Sequence, residues 1–445
     1  MTNGGTRFLL FPQLGQRFEP EVVEIDLPPS AIGPGPQDGA MYVSNAIDKP
    51  LPYLDPDGLP PYAGPLFPPA VAGPDGHFDR IPRGTPQFLA AHLYGSARHV
   101  IDLWEDLLGH PIVWWQSDQF PRLELVPWIR WGNAHSGPGF VEMGMMWSRR
   151  GEAQDLSLNF DVVAHEMGHV ILFSLLGSPA AGHLTGEFLA FHEAFSDQVA
   201  VISSLYFLPV ARRLLVETRG NLYALNLVSR LGELSGNDQV RVLDNEVRMR
   251  DLAGLRIGPD GRFVDPLGLG RNQHEASAPL SGAFWDCLVE LFQDALVERG
   301  AIGPRLDARR WTRDEVDASL ARLHLAVGES LDRFEPDFLA ALQAARDRTG
   351  LLLARCIQRL RPDDLSFATV AARFCEGLIG LGKKQLLPTF VDNFVWRGID
   401  PRPLWKELKT NDEMLELGRA PPDAPAGLAV AGLVQHQPHR GVLRP

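Results

Sequence analysis

Cysteine is scarce in this chain: Cys287, Cys356 and Cys375 are the only three in 445 residues. So few thiols cannot build a disulfide framework, and a reducing compartment suits them. A basic surplus is missing too. Lys and Arg number 42 against 55 Asp and Glu, for a formal net charge of −13. Nucleic-acid-binding surfaces need the opposite balance. No apolar run reaches the roughly 18 residues of a membrane-spanning helix. The apolar stretch at residues 8–11 is cut off by Pro12 and Gly15, too soon for a signal peptide. The expectation is a cytoplasmic chain with neither a nucleic-acid nor a membrane partner. No internal repeat is visible, which excludes solenoids and propellers.

What is present divides the chain by texture. Residues 1–84 are rich in Pro and Gly, with short apolar runs at 22–25 and 40–43. Tyr53, Tyr62, Phe67 and Phe78 lie among them and ask to be buried, so this segment is expected to wrap on the body. Residues 85–160 are expected to form a β-rich N-terminal lobe. It opens with a helix over 85–108, started by Thr85-Pro86 and stopped by Gly109, and continues with strands at 112–115 and 123–131. Residues 161–417 read as a helical C-terminal lobe. The helices from there on are predicted at 160–176, 185–208, 280–299, 313–330, 335–348 and 367–382. Residues 418–445 carry several prolines and read as a loose tail. The fold class is α+β.

The chemistry concentrates at His165-Glu166-Met167-Gly168-His169, an HExxH string. About 0.02 such strings are expected by chance in a chain of this size. Four residues turn about 400° on a helix, so both imidazoles share one face roughly 6 Å apart. That spacing lets both reach one zinc ion, with Glu166 close by as a proton acceptor. Zinc in a catalytic site takes a third protein ligand and keeps one position open. Downstream, His183, Glu187, His192 and Glu193 compete for that role. Glu193 is preferred because Asp197 follows at i+4, where it could hold the free N–H of a ligand histidine.

His165-Glu166-x-x-His169 followed by Glu193-Ala194-x-Ser196-Asp197 resembles the thermolysin-like neutral zinc metallopeptidases, a gluzincin family. Asp161-Val162-Val163, just before the motif, is similar to that family's active-site helix. Asn133-Ala134 resembles its edge strand along the peptide substrate, and Arg250-Asp251-Leu252 the segment that holds a substrate carbonyl. His274, ahead of Ser281-Gly282, resembles the histidine that stabilises the transition state. The resemblance implies a two-lobed fold with the zinc helix between the β-rich and helical lobes. It implies a metalloendopeptidase that cuts a peptide or protein substrate before bulky apolar residues, with Val162 and Met249 near the receiving pocket. Glu166 would be general base, and His274 and Arg250 would stabilise the oxyanion. Of the acidic residues that hold the family's calcium ions only Asp161 has a counterpart, which puts calcium in doubt. No Tyr stands between His169 and Glu193, which favours the competing reading, a zinc-binding scaffold that cleaves nothing. Elsewhere, His92, His99 and His135 read as packing residues and Cys287 as a buried inert thiol.

Overall fold

The computed structural model describes residues 4–12, 18–53, 58–147, 153–231, 241–252, 256–257, 263–264, 273–311 and 313–404. The 418–445 tail lies outside them.

Thr85-Pro86 starts helix α1, Pro86–Leu108. The Thr85 hydroxyl accepts the Phe88 N–H, and Gly109 closes the helix in the left-handed region at φ 78°. Most of α1 is buried. Strands β1 (Thr6–Leu10) and β2 (Glu21–Ile25) pair as an antiparallel hairpin packed on it. Phe8, fully buried, stacks on Phe78 at 5.0 Å and tilts against Tyr94 at 5.6 Å. One continuous apolar core therefore runs from Phe8 in the first strand to Ile399 near the last described residue.

The main sheet has four strands in the order β3 (Met41–Val43), β4 (Leu123–Val126), β6 (Phe140–Met143), β5 (Ala134–Gly137). The first three run parallel, and β5 is antiparallel to β6 at the edge. One face, with Leu125, Val141, Met143 and Ala134, joins the main core. The other packs Val126 and Phe140 against Ala46 and Tyr53 of the N-terminal segment. A hairpin, β7 (Met145–Trp147) and β8 (Ala153–Asp155), then leads into helix α2, Phe160–Leu176.

After α2 the described chain is mostly helical: α3 (Gly186–Ser204), α4 (Leu208–Thr218), α5 (Gln273–Glu298), α6 (Arg313–Ile357), α7 (Phe367–Gly380) and α8 (Leu387–Trp396). Helix makes up about 52% of the chain and strand about 11%, and every described strand longer than two residues ends by Asp155. The fold is mixed α+β.

Several expected elements differ. Residues 112–115 form no strand. Trp114 instead anchors by its indole N–H to the Ala40 carbonyl, and Trp115 by its backbone N–H to the Ser174 hydroxyl. The strand from 123 stops at Val126, because Pro127 has no N–H for a ladder. The 185–208 helix ends at Ser204, and a further helix, α4, starts at Leu208-Pro209 after a bend of 98°. The helix expected at 280–299 begins earlier, at Gln273, and runs through Pro279; buried Ala276 and Ser277 hold its first turns down. The pair 313–330 and 335–348 is one run with a break at Phe334 (φ −129°, ψ 32°), beside Pro336. Among the described residues no single helix is long and apolar enough to cross a membrane.

Candidate metal centre

Helix α2 is buried over most of its length and carries the HExxH string in its middle. Asp161 in its first turn suits the positive end of the helix dipole, and its carboxylate accepts the Val162 N–H at 3.0 Å. Gly168, between the two histidines, sets the distance to α3. A Cβ there would lie 2.6 Å from the Ser196 Cα. The missing side chain lets the two backbones approach, and this brings Glu193 and Asp197 over His165 and His169.

The three donors converge. His165 Nε2 lies 3.1 Å from His169 Nε2 and 3.4 Å from Glu193 Oε2, and His169 Nε2 lies 3.8 Å from Glu193 Oε1. A tetrahedral zinc ion with bonds of about 2.0–2.1 Å spaces its donors by roughly 3.3–3.4 Å. The three observed separations bracket that value, so the set fits a metal ion of this size. His165 Nδ1 lies 3.1 Å from Asp197 Oδ1. A carboxylate can only accept, so Nδ1 carries the proton and Nε2 turns its lone pair inward. Ser281 of α5 donates to the other Asp197 oxygen at 3.2 Å.

The rejected ligand candidates have other work. Glu187 accepts the Phe367 N–H at 2.6 Å, at the start of α7. His192 is buried among aromatic rings, 4.2 Å from Phe173 and 5.8 Å from His169, centroid to centroid. Burial pushes its pKa down to about 3, so it is neutral. His183 is exposed.

Glu166 is also buried. Burial pushes its carboxyl up; His165 pulls it back, Glu193 adds to the rise, and a hydrogen bond from Ser136 lowers it, leaving the net shift upward. The Ser136 hydroxyl donates to Glu166 Oε2 at 3.1 Å. Burial acts on Glu193 in the same direction. There the neighbouring His165, His169 and His274 rings outweigh it, and the carboxyl sits well below the usual carboxylate range.

Of the other sequence candidates, His274 joins the group: its Nδ1 is 2.7 Å from Glu193 Oε2, in the first turn of α5. Ala134 is buried on β5 opposite Met143, and Asn133 just before it is exposed. Arg250 sits exposed on a short 3-10 turn, and its ion pair is with its neighbour Asp251 at 3.7 Å. No contact among the described residues joins Arg250 or Asn133 to the zinc-type group. Ser136 escaped the sequence reading. The signal for it is the strand period of two, which puts Ser136 on the face of Ala134. His135 faces the other way, bonded to Glu142 Oε2 at 2.8 Å and packed on Trp131 and Phe140. His92 and His99 are packed in the core, and all three cysteines are buried and unbridged.

No protein-family model matches the chain, and no curated protein matches it.

Proposed function

We propose that the protein is a zinc-dependent metallopeptidase with the two-lobed thermolysin-like arrangement, hydrolysing peptide bonds in a peptide or protein substrate. The observation that carries this reading is the convergence of His165, His169 and Glu193 at tetrahedral spacing, with Glu166 beside them and outside the ligand set. A zinc ion held there supplies Lewis acidity, lowering the pKa of a water and polarising a carbonyl. Glu166 takes a proton from the attacking water and hands it to the leaving amine. Ser136 occupies Oε2 of this carboxylate, which leaves Oε1 for the proton. Strand β5, at the sheet edge, is the element on which an extended substrate would add as a further strand.

The test pairs metal analysis with cleavage. Purified wild type should hold one zinc per chain and cut a peptide library on the amino side of bulky apolar residues, with a chelator abolishing the cuts. Glu166→Gln should keep the zinc and lose the cleavage. A second reading, a zinc-binding scaffold without turnover, draws support from the exposed Arg250–Asp251 pair, which leaves one expected oxyanion donor engaged elsewhere. Zinc-loaded wild type that cuts nothing in the library would establish that reading instead.

A further inference from the structure

Resting on the metal reading above, we infer that His274 is a positioning residue for the ligand carboxylate Glu193, acting through its Nδ1–H. The contact is short, 2.7 Å from Nδ1 to Glu193 Oε2, and that same oxygen faces His165 Nε2 at 3.4 Å. Glu193 Oε2 is a carboxylate oxygen and can only accept, so Nδ1 is the donor. The Nδ1–H is therefore engaged with the ligand carboxylate.

A second contact from the same helix supports this. Ser281 lies seven residues after His274, nearly two full turns of α5, and therefore on the same face. His274 meets Glu193 while Ser281 meets Asp197, and Glu193 and Asp197 are themselves one turn apart on α3. Helix α5 thus presents one face to both carboxylates of the metal centre, one a ligand and the other the partner of a ligand. Glu193 has three side-chain torsions to fix before it can bind an ion. A donor already on its oxygen fixes them in advance, and loss of such an outer partner typically weakens metal binding about 10–100-fold.

The test uses the full chain loaded with zinc and follows zinc transfer to a chromophoric chelator. His274→Ala should raise the zinc dissociation constant about 10–100-fold. The asparagine amide N–H sits where Nδ1–H sits, and that of glutamine reaches the place of Nε2. His274→Asn should therefore restore zinc retention to within a few-fold of wild type, and His274→Gln should not. Should the alanine variant fail to fold, the contrast between the Asn and Gln variants still decides. Wild-type retention in His274→Ala, or rescue by Gln as good as by Asn, overturns the inference and leaves the metal reading standing. Wild type that takes up no zinc overturns both.

Discussion

Strand β5 separates two clusters of buried charge that are neutralised in different ways. On the face of His135, the carboxylates Glu142 and Glu124 are fully buried and met by donors of the protein itself. Glu142 takes Lys49 Nζ at 2.5 Å, the Tyr53 N–H at 2.7 Å and His135. Glu124 takes the Ser44 and Tyr53 hydroxyls and the Tyr62 N–H. On the face of Ser136, two imidazole nitrogens and a carboxylate aim at one point from 3.1 to 3.8 Å apart. The first cluster is complete within the chain and fastens the N-terminal segment to the sheet. The second is a group that could hold a metal ion. Burial alone does not separate structure from function in this molecule; the balance of donors and acceptors does.

The comparison breaks most visibly on the structural side. Lys49→Met leaves Glu142 buried without its cation, and breaking a buried pair in this way costs about 3–5 kcal/mol. Urea denaturation should show that loss equally with and without chelator, because the ion pair has no part in metal binding. A loss under about 1 kcal/mol would mean that water reaches Glu142.

On the other face the stability should track the ion. At free zinc about 1,000-fold above its dissociation constant, binding to the folded state adds about 4 kcal/mol. Chelation should remove that increment from wild type and change nothing in His165→Ala. A chelator effect of equal size in the variant would place the ion elsewhere.

A third cluster sharpens the contrast by pH. His92 accepts the Phe11 N–H at Nε2 (2.9 Å) and reaches the Ser157 carbonyl with Nδ1 (2.8 Å). A carbonyl only accepts, so the proton is on Nδ1 and the ring is neutral. Burial pushes its pKa down to about 4 from 6.5. The folded state therefore binds less proton than the unfolded state between these values, and stability falls as pH drops from 6.5 to 4. A shift of this size corresponds to about 3 kcal/mol. Denaturation midpoints at pH 7 and pH 4 should diverge in wild type and by less in His92→Gln. Equal divergence in both would assign the acid sensitivity to other groups.

What the sequence disclosed and what it hid follow from distance along the chain. His165, Glu166 and His169 are read from a local repeat of four, and Glu193 with Asp197 from another. Helices α1 and α2 were legible because their ends are marked by Thr85-Pro86, Gly109 and Gly177. The contacts that orient the site join residues far apart: Ser136 to Glu166, His274 to Glu193, Ser281 to Asp197. No spacing announces such pairs. The helix expected from residue 280 begins at Gln273 for a related reason: tertiary burial carries it through Pro279. Trp114 and Trp115 looked like strand residues by composition, while their polar anchors lie in two distant elements.

Gly168 gives the smallest expected change in stability and the most direct test of how the cation-seeking cluster is assembled. The residue is invisible to a motif search, since the two positions between Glu166 and His169 in HExxH admit any side chain. Its role comes from the neighbouring helix. The Cβ of an alanine would lie 2.6 Å from the Ser196 Cα and 2.9 Å from the Ser196 Oγ. The hydroxyl could rotate away, but the Cα belongs to the backbone of α3, so the helix itself must move. Forcing one extra carbon into a packed interior costs about 1–3 kcal/mol. Helix propensity works the other way: Ala is favoured over Gly in a helix by up to about 1 kcal/mol, so the net loss should be modest. Zinc binding has no such offset. Ser196 lies between Glu193 and Asp197 on α3, and a shift that relieves the clash carries both carboxylates away from His165 and His169. Gly168→Ala should therefore weaken zinc binding far more than its loss of stability suggests, while Gly303→Ala, where an added Cβ meets no atom within 4 Å and the backbone is not left-handed, should leave zinc affinity unchanged. Titration of both folded variants with a competing chelator makes the comparison. Wild-type affinity in Gly168→Ala would show that the approach of α3 is not what sets the ligand geometry.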